Sequence, residues 1–403
     1  MIERIFTTPF VAGGGLIACL AAAVVAWTLV ASTPAAAAQP PAAAMLPGQD
    51  QILDTRTEVV DTADVAGLDD LLARIVDRRV VYVGESHDHY EDHLNQLGII
   101  RGLQARGRDV AIGMEFFQQP FQPALDAFVA GEIGEAELLK RTEYFDRWRF
   151  DYRLYRPILR FAREHRIPVI ALNLPKEITD QVGVGGMASL SKAQAAQIPA
   201  DIDRDDEVYR ARMKAVFAMH PKDKHSDFER FLDVQLLWDE GMAARAAAYL
   251  REHPGKTLVV LAGTGHVDYG QGIPRRVARR IDVPAATVVS GAERPFDPDL
   301  ADFILFPQRV ELPATGLLGV MLDTESAGKG LGVQGFSDDS GAKAAGLEEG
   351  DRIVGVGDNA IDGYADIRIA LMDSRPGETV PVQVLRKTML GGTERLRFDV
   401  QLH

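Results

Sequence analysis

Short, unbroken apolar runs recur through the middle of the chain, each closed by polar residues. They are RVVYVGE (79–85), DVAIGME (109–115), IPVIALN (167–173) and TLVVLAG (257–263). Runs of this length without polar alternation fit strands covered on both faces. The stretches between them, such as YEDHLNQLGIIRGLQARG and YRLYRPILRFAREH, are of helix length. Strand alternating with helix argues for an α/β domain, a mostly parallel sheet covered by helices. Residues 176–250 form a long, mainly helical insertion before the fourth run. Its glycine stretch VGVGG is followed by no Lys-Ser/Thr and is not a phosphate loop. After Phe306 the pattern changes to short strands with glycine turns: LLGVML, GLGVQGF, DRIVGVG, VPVQVLR and RLRFDVQL. This predicts a small, mostly β module over residues 313–403.

The N-terminus differs again. No charge occurs from Phe10 to Ala31, and a small, proline-rich stretch follows. Residues 1–38 read as a signal peptide or a membrane anchor, and 39–62 as a flexible linker into a domain spanning 63–306. The only cysteine, Cys19, sits in LIAC, which resembles a lipobox, although apolar rather than polar residues follow it. An exported protein is expected, in the periplasm or attached to the cell envelope. Whether the leader is cleaved, lipidated at Cys19 or retained stays open. A mature chain without Cys19 has no disulfide and no thiol nucleophile. The formal net charge of −14 argues against a nucleic-acid partner.

The ends of the four runs carry the chemistry. Glu85 and His87 close the first, Glu115 the second, Asn173 the third, and Gly263-Thr264-Gly265-His266 the fourth. In an open parallel sheet ligands bind beyond the carboxyl ends of the strands. If the four runs lie parallel, Glu85, His87, Glu115 and His266 meet at one rim as a metal or acid–base site. A carboxylate directly after an apolar run is costly without a partner, here either functional or a structural arginine pair. A helix starting near Asp88 would place His89, His93 and Gln96 on one face, with Asp88 and Glu91 as a capping box. Ser86 in G-E-S-H-D lacks the second glycine of a nucleophile elbow, which argues against it as a nucleophile.

In order along the chain come G-E-S-H-D with His93 and Gln96, M-E-F-F, Trp148, YRPIL from Tyr155, ALNLP, QLLWDEGMA and GTGHVDYGQGIP. Across about residues 55–300 this series resembles the ChaN family of bacterial haem-binding lipoproteins. Their superfamily also holds the Tiki metalloproteases and the erythromycin esterases. The resemblance implies haem as cofactor and a role in haem uptake, with His87, His93, His266 or Tyr269 in the cofactor site. Imidazole or phenolate would be the axial ligand. Trp148 and Trp238 would flank the macrocycle or belong to the core. The alternative is a hydrolase of esters or peptides in which Glu85 and His87 are catalytic. There Glu85, His87, Glu115 and His266 would hold a divalent transition metal. A haem shared between two chains, and hence a homodimer, stays open.

The last module resembles a PDZ domain of bacterial periplasmic proteases. The residues are GLLGV (316–320), SGAKAAGLEEGDRIVGVGDNAI and PGETVPVQVLRK. The resemblance makes Leu318, Gly319 and Val320 the loop that receives the carboxylate of a peptide or protein partner, which then adds as a strand. A third reading is a scaffold in which only this module acts.

Overall fold

The computed structural model describes residues 66–220, 227–324, 328–388 and 391–403. The expected leader, Cys19 and the linker at 39–62 lie outside the described residues. Six strands form the first sheet: β1 (Val80–Glu85), β2 (Val110–Gln118), β3 (Val169–Asn173), β4 (Thr257–Gly263), β5 (Ala285–Ser290) and β6 (Phe303–Leu305). Their order is β3-β2-β4-β1-β5-β6, and every pair is parallel.

Helices cover both faces. The first group is α1 (Leu68–Ile75), α2 (Tyr90–Ala105), α3 (Gln122–Ala130), α4 (Glu135–Arg141), α5 (Tyr144–Arg147) and α6 (Tyr152–Glu164). The excursion after β3 is helical as expected: α7 (Lys176–Gly185), α8 (Lys192–Ala195), α9 (Glu207–Met219) and α10 (Phe228–Glu252), with α11 (Ile273–Arg280) following β4. Side chains alternate across a strand. Val81, Val83, Ile112, Met114, Val259 and Leu261 therefore join the core under α1–α6. Val80, Tyr82, Ala111, Leu258, Val260 and Ala262 join the core under α10 and α11. Two buried faces are why these strands read as continuous apolar runs. Among the described residues no helix is long and apolar enough to cross a membrane.

The second sheet is antiparallel. It contains β7 (Val320–Asp323), β8 (Leu331–Phe336), β9 (Arg352–Val356), β10 (Asn359–Ala360), β11 (Thr379–Lys387) and β12 (Thr393–Gln401). The order is β12-β11-β9-β8-β7, with β10 on β9, so β7 is an edge strand. Helices α12 (Gly341–Ala345) and α13 (Tyr364–Leu371) complete a small core of its own. Helix α13 also packs on the first domain: Tyr364, Ala365, Ile369 and Met372 lie against the core that α4–α6 enclose. Around this apolar seam Lys140 pairs with Asp366 at 2.7 Å, Arg156 pairs with Asp373, and the Arg368 guanidinium lies 5.1 Å from the Phe145 ring centre.

Candidate functional site

The parallel register brings the strand ends level, with Glu85 opposite Gly263. The ladder of β2 with β4 stops at Met114–Leu261, which leaves Glu115 at the rim. Glu85 is 1% exposed and Glu115 5%. Neither meets an arginine; each meets an imidazole. His87 Nδ1 lies 2.6 Å from Glu85 Oε1. His266 Nε2 lies 3.3 Å from Glu115 Oε1, and the other oxygen of Glu115 accepts the Gly263 N–H at 2.7 Å. A Cβ built on Gly263 would stand 2.8 Å from His87 Cε1 and 3.7 Å from Glu115 Oε2, so the two pairs share one corner. The structure thus gathers Glu85, His87, Glu115 and His266.

His266 has a further partner that sequence reasoning missed. Its Nδ1–H donates to Asp239 Oδ1 at 2.6 Å, and the Tyr209 hydroxyl donates to Asp239 Oδ2 at 2.6 Å. Asp239 is 1% exposed in the middle of α10. Aromatic rings enclose the other imidazole: Trp148 and Phe150 lie 4.8 Å and 4.9 Å from the His87 ring. Trp238 stands 6.2 Å from His266, at right angles.

Electrostatics follow from the pairing. Burial opposes the charge on His87, but the charge and hydrogen bond of Glu85, and then Glu115, raise it to about 9. Burial likewise opposes the charge on His266, and Glu115 and Asp239 raise it to about 10. Burial would raise the Glu115 carboxyl. His266, His87 and the Gly263 N–H outweigh it and bring it down to about 2. Near neutral pH both imidazoles are therefore cationic in the absence of a metal ion. Among the described residues no group of three or more His, Cys, Asp or Glu side chains is arranged to hold one. The expected divalent-metal set is spent on internal pairs and does not fit a metal in this state.

His93 belongs beneath the rim. It is 1% exposed. Its Nδ1 meets Gln96 Oε1 at 3.0 Å, its Nε2 meets the His87 carbonyl at 3.2 Å, and Gln96 donates to the Val83 carbonyl at 3.0 Å. Both ring nitrogens face carbonyl acceptors, which ties α2 to β1. Glu85 Oε2, 3.7 Å from His93 Nε2, is buried without a hydrogen-bond partner. The expected capping box does not form. The N-cap is His89, without a side-chain cap bond. Glu91 instead accepts from the Val310 N–H, and Asp92 from the Ser86 N–H.

Tyr269 lies after β4, three residues beyond His266. It is 41% exposed, and its backbone is left-handed, with φ at 59°. Its hydroxyl donates to Asp297 Oδ2 at 2.9 Å. That bond, then burial, raises the phenol above its ordinary value. Phe296, beside Asp297, is 51% exposed. A solvent-facing phenol with a carboxylate at its proton fits an axial oxygen donor to haem. The buried, charged imidazoles fit that role poorly.

At the PDZ loop, Leu318 is buried and its carbonyl accepts the Ala342 N–H. Gly319 has φ at 74°, and a Cβ there would stand 2.6 Å from Ser340 Cα, so the turn requires glycine. Val320 opens the edge strand β7.

A family model for haem-binding uptake proteins, described as Tiki superfamily, ChaN, matches residues 71–277, just over half of the chain. The chain belongs to this family. A PDZ model matches residues 316–402. A curated relative, Protein RETICULATA-RELATED 5, chloroplastic, of Arabidopsis thaliana, is 25% identical over 256 residues, or 58% of this chain and 34% of the relative. The chain thus spans about a third of that relative's length. Among solved structures, ChaN of Campylobacter jejuni with cofacially bound haem is 16% identical with a TM-score of 0.48, covering 59% of this chain and 91% of its own. A mutant of the erythromycin esterase EreC in its open conformation is 14% identical with a TM-score of 0.34, covering 55% and 72%. The HtrA3 PDZ domain bound to a phage-derived ligand is 18% identical with a TM-score of 0.19, covering 22% and 86%.

The shared corner leads to an expected result. Gly263→Ala places a methyl group 2.8 Å from the His87 ring, so the ring must move off Glu85. The variant should lose about 1–3 kcal/mol of stability by overpacking. The His87 imidazole should also titrate at lower pH, as read by NMR.

Proposed function

We propose that this protein binds haem in the bacterial cell envelope, in haem or iron uptake, and that its PDZ domain holds the C-terminus of a peptide or protein partner. Membership of the haem-binding family supports the ligand class. The observation that carries the site is Tyr269, an exposed phenol hydrogen-bonded to Asp297 beside the exposed Phe296. Bound haem would supply an iron that an oxygen donor can ligate. This chain's part is to present the Tyr269 hydroxyl and to take up its proton at Asp297. The glycine turn at Leu318-Gly319-Val320 and the unpaired edge of β7 suit strand addition by a partner.

Titrating the full chain with hemin tests this. The wild type should give a saturable Soret shift that Tyr269→Phe abolishes and His266→Ala leaves in place. Asp297→Ala should weaken binding about 10- to 100-fold, as removal of a ligand's hydrogen-bond partner does. An unchanged shift in Tyr269→Phe would remove the assignment.

The paired groups at the rim favour a second reading, hydrolysis of an ester or peptide. His87 carries a proton at neutral pH, and Glu85 orients it. Aryl-ester hydrolysis that Glu85→Gln leaves intact would exclude these residues as the catalytic pair.

A further inference from the structure

Helix α11 and the segment leading into α9 line a cavity of about 290 Å³, with Asp203, Asp206, Arg275, Arg276 and Arg279 in its wall. Arg276 is its least ordinary wall. The side chain is 1% exposed. Its Nη1 donates to the carbonyls of Gln271 at 2.5 Å and Gly272 at 3.2 Å. Its Nε lies 3.3 Å from Glu240 Oε1, but neither Nε nor Nη2 makes a hydrogen bond. Nη2 is thus a buried charged donor without an acceptor, which costs more than a neutral donor left unpaired.

The acids nearby are already engaged. Asp206 accepts the Tyr209 N–H and lies 3.4 Å from Arg275. Asp203 accepts the Asp205 N–H and pairs with Arg279 at 3.3 Å. Glu240 is shared by Arg279 and Arg280. With these acids engaged, Arg276 Nη2 is left without an acceptor. We propose that it binds an oxoanion, a carboxylate or a phosphate group, whose oxygens meet the free edge of Arg276 and the guanidinium of Arg275. Planar guanidinium groups suit such oxygens.

The place of this site matters. The Arg276 guanidinium lies 4.1 Å from the Tyr209 ring centre, and Tyr209 holds Asp239, which holds His266. An anion here sits one aromatic ring behind the rim, on the chain of contacts that orients His266.

Thermal unfolding of the full chain decides the matter, with inorganic phosphate, acetate and chloride compared at constant ionic strength. Phosphate or acetate should raise the midpoint saturably above chloride, and whichever acts names the source of the anion. Arg275→Gln, at a half-exposed side chain, should weaken the effect about tenfold. Arg276→Met should remove it. In the wild type the same anion should shift the His266 imidazole NMR signal. Equal midpoints in the three salts, or a rise that survives in Arg275→Gln, would overturn the site and leave a water-filled cavity.

Discussion

Glu115→Gln should lower the folding stability by about 3–5 kcal/mol, the usual cost of breaking a buried ion pair by removing one partner. The glutamine oxygen can still accept the Gly263 N–H, so the β4 terminus keeps its bond. What is lost is the anion opposite His266 Nε2, 3.3 Å away. His266 keeps Asp239 at Nδ1 but must bury the rest of its charge without compensation. Its titration should therefore move down from about 10, and that of His87 should fall by a smaller amount, because Glu115 is only one of its anions. Denaturant unfolding and imidazole NMR read the two effects separately. A variant of wild-type stability would mean that the rim holds no coupled charges.

The same cluster sets a pH window. Glu115 titrates at about 2 in the fold against an ordinary value of 4.5, so its contribution is complete above 4.5 and is lost as pH falls toward 2. His87 and His266 titrate at about 9 and about 10 against 6.5. Their contribution is complete below 6.5 and is lost as pH rises through 9 to 10. At roughly 1.4 kcal/mol per pH unit of displacement, the acid edge is worth roughly 3 kcal/mol and the alkaline edge, where two imidazoles titrate, more. The edges share interactions and do not add without limit. Unfolding free energy measured across pH should be highest between about 4.5 and 6.5. A profile flat from pH 6 to 10 would contradict cationic imidazoles at the rim.

Much of this site was legible because strands buried on both faces cannot hide an acid. Glu85 and Glu115 interrupt apolar runs, and the parallel connection fixes which end they share. Two strands escaped notice. β6 has three residues, too few to show any period, and β5 follows Pro284 and mixes Ala and Thr among its valines. The start of α2 was misplaced because a capping pattern is local, whereas Glu91 and Asp92 are drawn to N–H groups outside the helix, at Val310 and Ser86. Asp239 was missed because its partners lie 27 and 30 positions away, and no spacing rule reaches that far. Tyr269 was named from its place after His266, but its left-handed backbone and its bond to Asp297, 28 positions on, are not announced by the sequence.

Helix α13 is not hung from a tether. Its outer side is seated on α4–α6, pinned by Lys140 and Arg156. The same α6 supplies Tyr155, whose hydroxyl takes the Trp148 indole proton in a hydrogen bond and donates to the His87 carbonyl. Helix α6 is thus common to the seat of α13 and to the ring wall around the His87 imidazole.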